Sequence, residues 1–140
     1  AETRVTAITN SLQVAMMLGQ SPNATVRLAP GTYMPREVAV IGTETCDYLS
    51  GFHADACFIG AAGISEAGVT EAIEGFGDVK RAMMRQCRSP RFLIDASKFG
   101  QTHLMHVAGI DEIGTLVSYR RPEPPLSRKL QECGVQVLVS

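Results

Sequence analysis

Arg91-Phe92-Leu93-Ile94-Asp95-Ala96-Ser97-Lys98-Phe99-Gly100 is the stretch on which the fold turns. Its first half is an apolar run that follows Pro90 and closes on Asp95, which is the pattern of a buried strand. Its second half is small and polar, as in a turn that opens a helix. Two other segments share the design: Ile8-Thr9-Asn10-Ser11 and Phe58-Ile59-Gly60-Ala61-Ala62-Gly63. Repetition of strand, polar turn and helix along one chain points to βαβ units, because parallel strands need a crossover connection.

Working outward, the β-branched run Val5–Thr9 predicts a strand, and Asn10-Ser11 can cap a helix from Leu12 to Leu18 that stops at Gly19. Ser21-Pro22-Asn23 predicts a turn, Thr25–Ala29 a second strand closed by Pro30-Gly31, and Val38–Ile41 a short apolar run. A short helix is expected over Thr43–Ser50, with Gly51 ending it. Asp55–Ile59 predicts a third strand that enters the glycine-bearing loop 60–64, and residues 65–77 read as a long connection. Asp78–Arg88 has helical spacing, with Val79, Ala82, Met83 and Cys87 on one face. Arg91–Asp95 is the fourth strand. Leu104–Val107, Thr115–Tyr119 and Val135–Val139 are further strands, and Leu126–Cys133 a helix. The expected class is α/β: a mainly parallel sheet with helices on both faces. The chain opens almost directly on a strand, so we expect a piece of a longer protein that lacks the first βα unit.

Composition narrows the function. The 140 residues carry 13 basic and 14 acidic side chains, a formal net charge of -1, with 45% hydrophobic and 19% charged residues. These are the proportions of one globular domain. A domain that grips DNA usually carries a basic excess, so this chain alone is expected to bind nucleic acid poorly. With no Trp and three Tyr it has little material for stacking on bases. No apolar run approaches the ~20 residues of a membrane span. The start lacks a signal-peptide pattern, and a cytoplasmic location is expected. The four cysteines, Cys46, Cys57, Cys87 and Cys133, have no CxxC or zinc-ligand spacing and are expected to be free thiols.

In an open α/β sheet the three strand-end turns gather at the carboxyl ends of the strands, where ligands bind. Backbone N–H groups at helix starts favour anions, phosphate above all. Lys98 and Lys80 would supply positive charge. Each residue has a plainer alternative. Lys98 pairs with a phosphate or hydroxyl, or is a solvated turn lysine. Asp95 accepts sugar hydroxyls, or caps a helix, or pairs with Lys98. Lys80 points into the cleft or lies on the surface. Asn10 contacts ligand or only caps. His53 and Asp55 are expected to make structural bonds, and His103 and His106 to be non-catalytic. Met16, Met17, Met83 and Met84 are expected in the core or at subunit contacts.

In order along the chain, Thr9-Asn10-Ser11, Pro30-Gly31-Thr32, Phe52-His53-Ala54-Asp55 and Phe58–Ile64 resemble a known pattern. Val79-Lys80-Arg81-Ala82-Met83, Asp95–Gly100, Ile110–Val117 and Cys133–Val137 continue it. The chain resembles the C-terminal effector-sensing domain of DeoR-family bacterial transcriptional regulators. That resemblance implies a fold related to ribose-5-phosphate isomerase and CoA transferases, and a sugar-phosphate effector. It also implies an N-terminal winged helix-turn-helix domain, not present in this chain, through which alone DNA is contacted. It implies a phosphate loop of Asp-Ser-Gly-Thr-Thr type just before residue 1. Against the family's usual Gly-Ala-Asp-Gly, Ala62 stands in place of the carboxylate, and Pro30-Gly31 stands where Gly-Gly is frequent. Both departures point to an altered choice of ligand.

The expected effector-binding residues are Asn10, Ser11, Gly31, Gly60, Ala62, Gly63, Lys80, Asp95 and Lys98. No catalytic residue, metal ligand or cofactor is expected, and no membrane partner. The leading expectation is residues 1–140 as the sensing domain of a regulator, a repressor that forms homo-oligomers. The alternative is a sugar-phosphate isomerase or deaminase on the same fold. Proton transfer beside a carbonyl would then need a carboxylate base, and Glu66 and Glu71 are near the central loop without a partner in the sequence. A third possibility is an oligomerisation domain without a ligand.

Overall fold

The computed structural model describes residues 3–140. The described residues divide into two compact units, 3–52 and 53–140.

The first unit is built on a βαβ crossover. Strands β1 (Val5–Thr9) and β2 (Ala24–Leu28) pair in parallel, Val5 beside Ala24 and Thr9 beside Leu28, and α1 (Leu12–Leu18) joins them. Ser11 caps α1: its hydroxyl accepts from the Val14 N–H at 3.2 Å, and Gly19 closes the helix. An antiparallel hairpin of β3 (Thr32–Met34) and β4 (Ala39–Ile41) follows, then α2 (Thr43–Leu49). Ala29, Ala39, Val40 and Leu49 are buried, with Thr45 among them. The Thr45 hydroxyl meets its hydrogen-bond requirement by donating to the Pro30 carbonyl at 2.6 Å. Phe52 is flanked by Tyr48 and by the Arg27 guanidinium.

The second unit contains a parallel sheet of four strands in the order β11-β10-β8-β5. These are β5 (Cys57–Ile59), β8 (Pro90–Leu93), β10 (Thr115–Ser118) and β11 (Gln136–Val139). Beside it lies an antiparallel sheet of β6 (Gly63–Ser65), β7 (Gly68–Glu71) and β9 (Met105–Ala108). Helix α3 (Glu74–Arg85) buries Gly77, Val79 and Ala82, and α4 (Leu126–Glu132) buries Leu126 and Leu130. Leu126 and Leu130 share one core cluster with Ile59, Phe92, Leu116 and Ile64, and Met83, Met84 and Val137 pack against it.

Three expectations change here. Residues 65–77 are not one long connection: they hold most of the β6–β7 hairpin and the first turn of α3, which begins at Glu74 instead of Asp78. The sheet is not covered by helices on both faces within this unit. Alternation puts Phe58, Leu93 and Leu138 on the face opposite Ile59, Phe92 and Leu116, and they are 60%, 48% and 45% exposed. Finally, Cys57 and Cys87 are not free thiols. They form a disulfide with Cα atoms 6.1 Å apart. The Ala54 N–H donates to the Gln86 carbonyl at 2.7 Å, and this contact draws the start of β5 to the end of α3.

Candidate functional site

The expected residues fall into two groups. Asn10, Ser11 and Gly31 belong to the first unit; Gly60, Ala62, Gly63, Lys80, Asp95 and Lys98 belong to the second.

In the first unit the turn after β1 is committed to the fold. Ser11 N–H donates to the Thr9 hydroxyl at 3.0 Å, and Leu12 N–H to the Val38 carbonyl at 2.9 Å. The Asn10 side-chain amide donates to the Val40 carbonyl at 3.0 Å, so Ser11 alone caps α1. Few N–H groups remain there for an anion. Gly31 has a packing reason to be glycine: a Cβ would collide with the Thr45 hydroxyl and lie 2.7 Å from the Ile41 carbonyl oxygen.

In the second unit, the turns after β5 and β8 stand side by side at the carboxyl edge of the parallel sheet. Ile59 pairs with Phe92, which puts Gly60 beside Leu93, and Ile94 N–H donates to the Val117 carbonyl at 3.0 Å. Asp95 opens a 3-10 turn over Ala96–Lys98, and its carboxylate accepts from the Ser97 hydroxyl at 2.6 Å. Asp95 is exposed and Lys98 half-buried. Among the described residues Lys98 makes no ion pair, so it is not the partner of Asp95. The Gly100 N–H donates to the Ile64 carbonyl at 2.7 Å, stitching this turn to β6. Gly60 is exposed, whereas Gly63 is buried inside β6, where a Cβ would collide with the Gln101 carbonyl. The Ala62 N–H donates to the Thr70 carbonyl at 3.2 Å. The expected loop of 60–64 is thus loop only up to Ala62, because β6 begins at Gly63.

Lys80 forms an ion pair with Glu71, the side chains only 17% and 12% exposed. The other Glu71 oxygen accepts from the Ala72 N–H at 2.8 Å. Because Gly63 pairs with Thr70, Glu71 sits across the hairpin from Ala62. The register thus puts the Glu71 position opposite Ala62, while the Glu71 carboxylate itself is taken up by Lys80 and the Ala72 N–H. The sequence named Glu71 but offered no partner for it, since the pair spans two elements. His53 and Asp55, expected to make structural bonds, are exposed and, among the described residues, make no side-chain hydrogen bond. Of the two places expected for the methionines, core or subunit contact, Met83 and Met84 take the core, and Met16 and Met17, 73% and 72% exposed, lie outside it. Among the described residues no group of His, Cys, Asp and Glu could hold a metal ion, and no helix is long and apolar enough to cross a membrane.

An α/β unit with polar turns gathered at the carboxyl edge of a parallel sheet has the geometry of a ligand-binding domain. Residues 1–120 match the family described as the DeoR C terminal sensor domain. The chain belongs to that family. It is similar to the HTH-type transcriptional repressor GlcR of Bacillus subtilis (strain 168), 35% identical over 135 residues, covering 96% of this chain and 52% of that protein. It is also similar to the glycerol-3-phosphate regulon repressor of Escherichia coli (strain K12), 30% identical over 121 residues, covering 86% and 47%. The L-fucose operon activator of Haemophilus influenzae is 29% identical over 116 residues, covering 82% and 47%. The chain thus spans about half the length of these relatives.

Proposed function

We propose that the chain is the effector-sensing part of a bacterial transcriptional regulator, a cytoplasmic repressor that binds a phosphorylated sugar or related metabolite and does no chemistry itself. Two of the three relatives described are named repressors, and the words glycerol-3-phosphate and L-fucose in those names support a sugar-related effector. DNA would be contacted through a helix-turn-helix domain outside residues 1–140, and the regulator would act as a homo-oligomer. Ligand binding would shift the population of two arrangements, to the extent of its differential affinity for them.

The observation that carries this reading is the uncommitted Lys98 ammonium on the turn that Asp95 opens after β8, a turn adjoining the one that begins at exposed Gly60 after β5. Lys98 is proposed to hold the phosphate, Asp95 the sugar hydroxyls, and the turn at Gly60 to give the ligand room. Lys80, neutralised by Glu71, is proposed to line the site through its partner. Ala62 and Gly63 shape the hairpin beneath, and Asn10, Ser11 and Gly31 keep their fold contacts beside any role in binding. The test is calorimetry of the full-length regulator against a panel of sugar phosphates that includes glycerol 3-phosphate. Lys98→Ala should weaken the best ligand by roughly ten- to a hundredfold, the value of a charge-assisted hydrogen bond of about 1.5–3 kcal/mol. Its stability should change by less than about 0.5 kcal/mol, as for a side chain without partners. Unchanged affinity in Lys98→Ala would remove it from the site. Steady conversion of glucosamine 6-phosphate or ribose 5-phosphate would overturn the reading in favour of an enzyme.

A further inference from the structure

At the opposite end of the parallel sheet, a concavity of about 210 Å³ is lined by Arg81, Arg85 and Arg88 together with Met84, Pro90 and Glu112. We propose that it binds a small phosphate-class oxyanion, independently of the sugar-phosphate reading above.

The charge balance comes first. Three guanidiniums against one carboxylate leave this concavity a formal +2, in a chain whose net charge is -1. Among the described residues none of the three arginines has an ion-pair partner; the pair Lys80–Glu71 takes no part. Arg81 and Arg85 stand four residues apart on α3, where like charges repel. The carbonyl end of a helix dipole favours a cation nearby, but it does not account for three cations lining one hollow. A bound dianion does.

The geometry fits as well. The Arg81 guanidinium donates to the Val107 carbonyl at 2.6 Å, which fixes one donor group in the wall. Arg85 and Arg88 are exposed and free to close on a ligand. Guanidiniums match phosphate oxygens in pairs. Glu112 is held back, since its carboxylate accepts from the Gly109 N–H at 2.9 Å. The volume is smaller than that of most drug-sized sites and suits a phosphate with little attached. Pro90 opens β8 whereas Asp95 and Lys98 follow its end. The five residue steps from Pro90 to Asp95, at ~3.3 Å each, separate the two places by about 16 Å.

The experiment is a titration of the isotope-labelled chain with inorganic phosphate at constant ionic strength, read by amide chemical shifts. Saturable shifts are expected at residues 85–89 and 109–112. Arg85→Gln with Arg88→Gln should raise the Kd for phosphate at least tenfold. Glu112→Gln, which keeps an acceptor for the Gly109 N–H but removes the negative charge, should tighten phosphate severalfold. Shifts confined to residues 60–63 and 95–98, equal responses to chloride and phosphate, or an unchanged Kd in the arginine double variant would each overturn the proposal. Should that double variant fail to fold, unchanged or weaker binding in Glu112→Gln overturns it alone.

Discussion

Lys80 and Glu71 illustrate how a residue's surroundings decide its role. Both side chains are largely withdrawn from water, so each charge depends on the other. Removing one partner leaves a desolvated charge behind, which is strongly unfavourable, whereas removing both leaves only a gap. Glu71→Gln and Lys80→Met should each destabilise the chain by ~2–3 kcal/mol, and the double variant by clearly less than their sum. Urea unfolding of the three variants measures this. Additive losses would show that the pair contributes nothing as a pair. Lys98 is the contrast: among the described residues it has no ion pair, and its charge is available to a ligand. The sequence could not separate the two lysines, because the partner of Lys80 comes from another element nine positions away.

At the scale of elements, the sequence was most legible where local signals agree. Ser11 and Gly19 bound the helix Leu12–Leu18 as expected, because capping is a local hydrogen-bonding matter. The β1 strand follows its β-branched run, and the α4–β11 unit lies within a residue of the expected bounds at each end. The β6–β7 hairpin was not legible. Its strands, Gly63–Ser65 and Gly68–Glu71, are too short for periodicity to register, and their glycines read as loop. Those glycines are required by packing between distant segments, which no local pattern reports; the Cys57–Cys87 disulfide, with a sequence separation of 30, was missed for the same reason. This gives a sharp contrast between two glycines of one expected loop. At Gly60 the nearest atom to an added Cβ is the Leu93 carbonyl oxygen at 3.8 Å, while at Gly63 the Gln101 carbonyl carbon would lie at 2.9 Å. Gly60→Ala should be nearly neutral. Gly63→Ala should cost about 1–3 kcal/mol, the usual penalty of forcing an extra carbon into a packed place. Thermal unfolding of the two variants distinguishes them; equal melting temperatures would mean that the hairpin yields to the methyl group.

At the scale of the molecule, the division into two units sets what a ligand can stabilise. Gly60, Lys80, Asp95 and Lys98 all lie in residues 53–140, whereas the residues of the first unit are tied up by their own hydrogen bonds. A ligand held by the second unit stabilises it by mass action, about 2.7 kcal/mol when its concentration is a hundred times Kd. Amides that exchange only when that unit opens should then exchange roughly a hundredfold more slowly, since the same free energy sets both quantities. Buried strands β8 and β10 are the places to read this, and β1 and β2 report on the other unit. Hydrogen exchange with and without a saturating sugar phosphate, chosen as the tightest of the calorimetric panel, is therefore expected to protect β8 and β10 and leave β1 and β2 within about threefold of their free rates. Protection confined to β1 and to the turn at residues 9–12 would move the ligand to the first unit and take Lys98 out of its site. A sensor can transmit no more free energy than its ligand distributes unequally between two states. The difference in protection between the two units gauges how unequally the ligand acts on them.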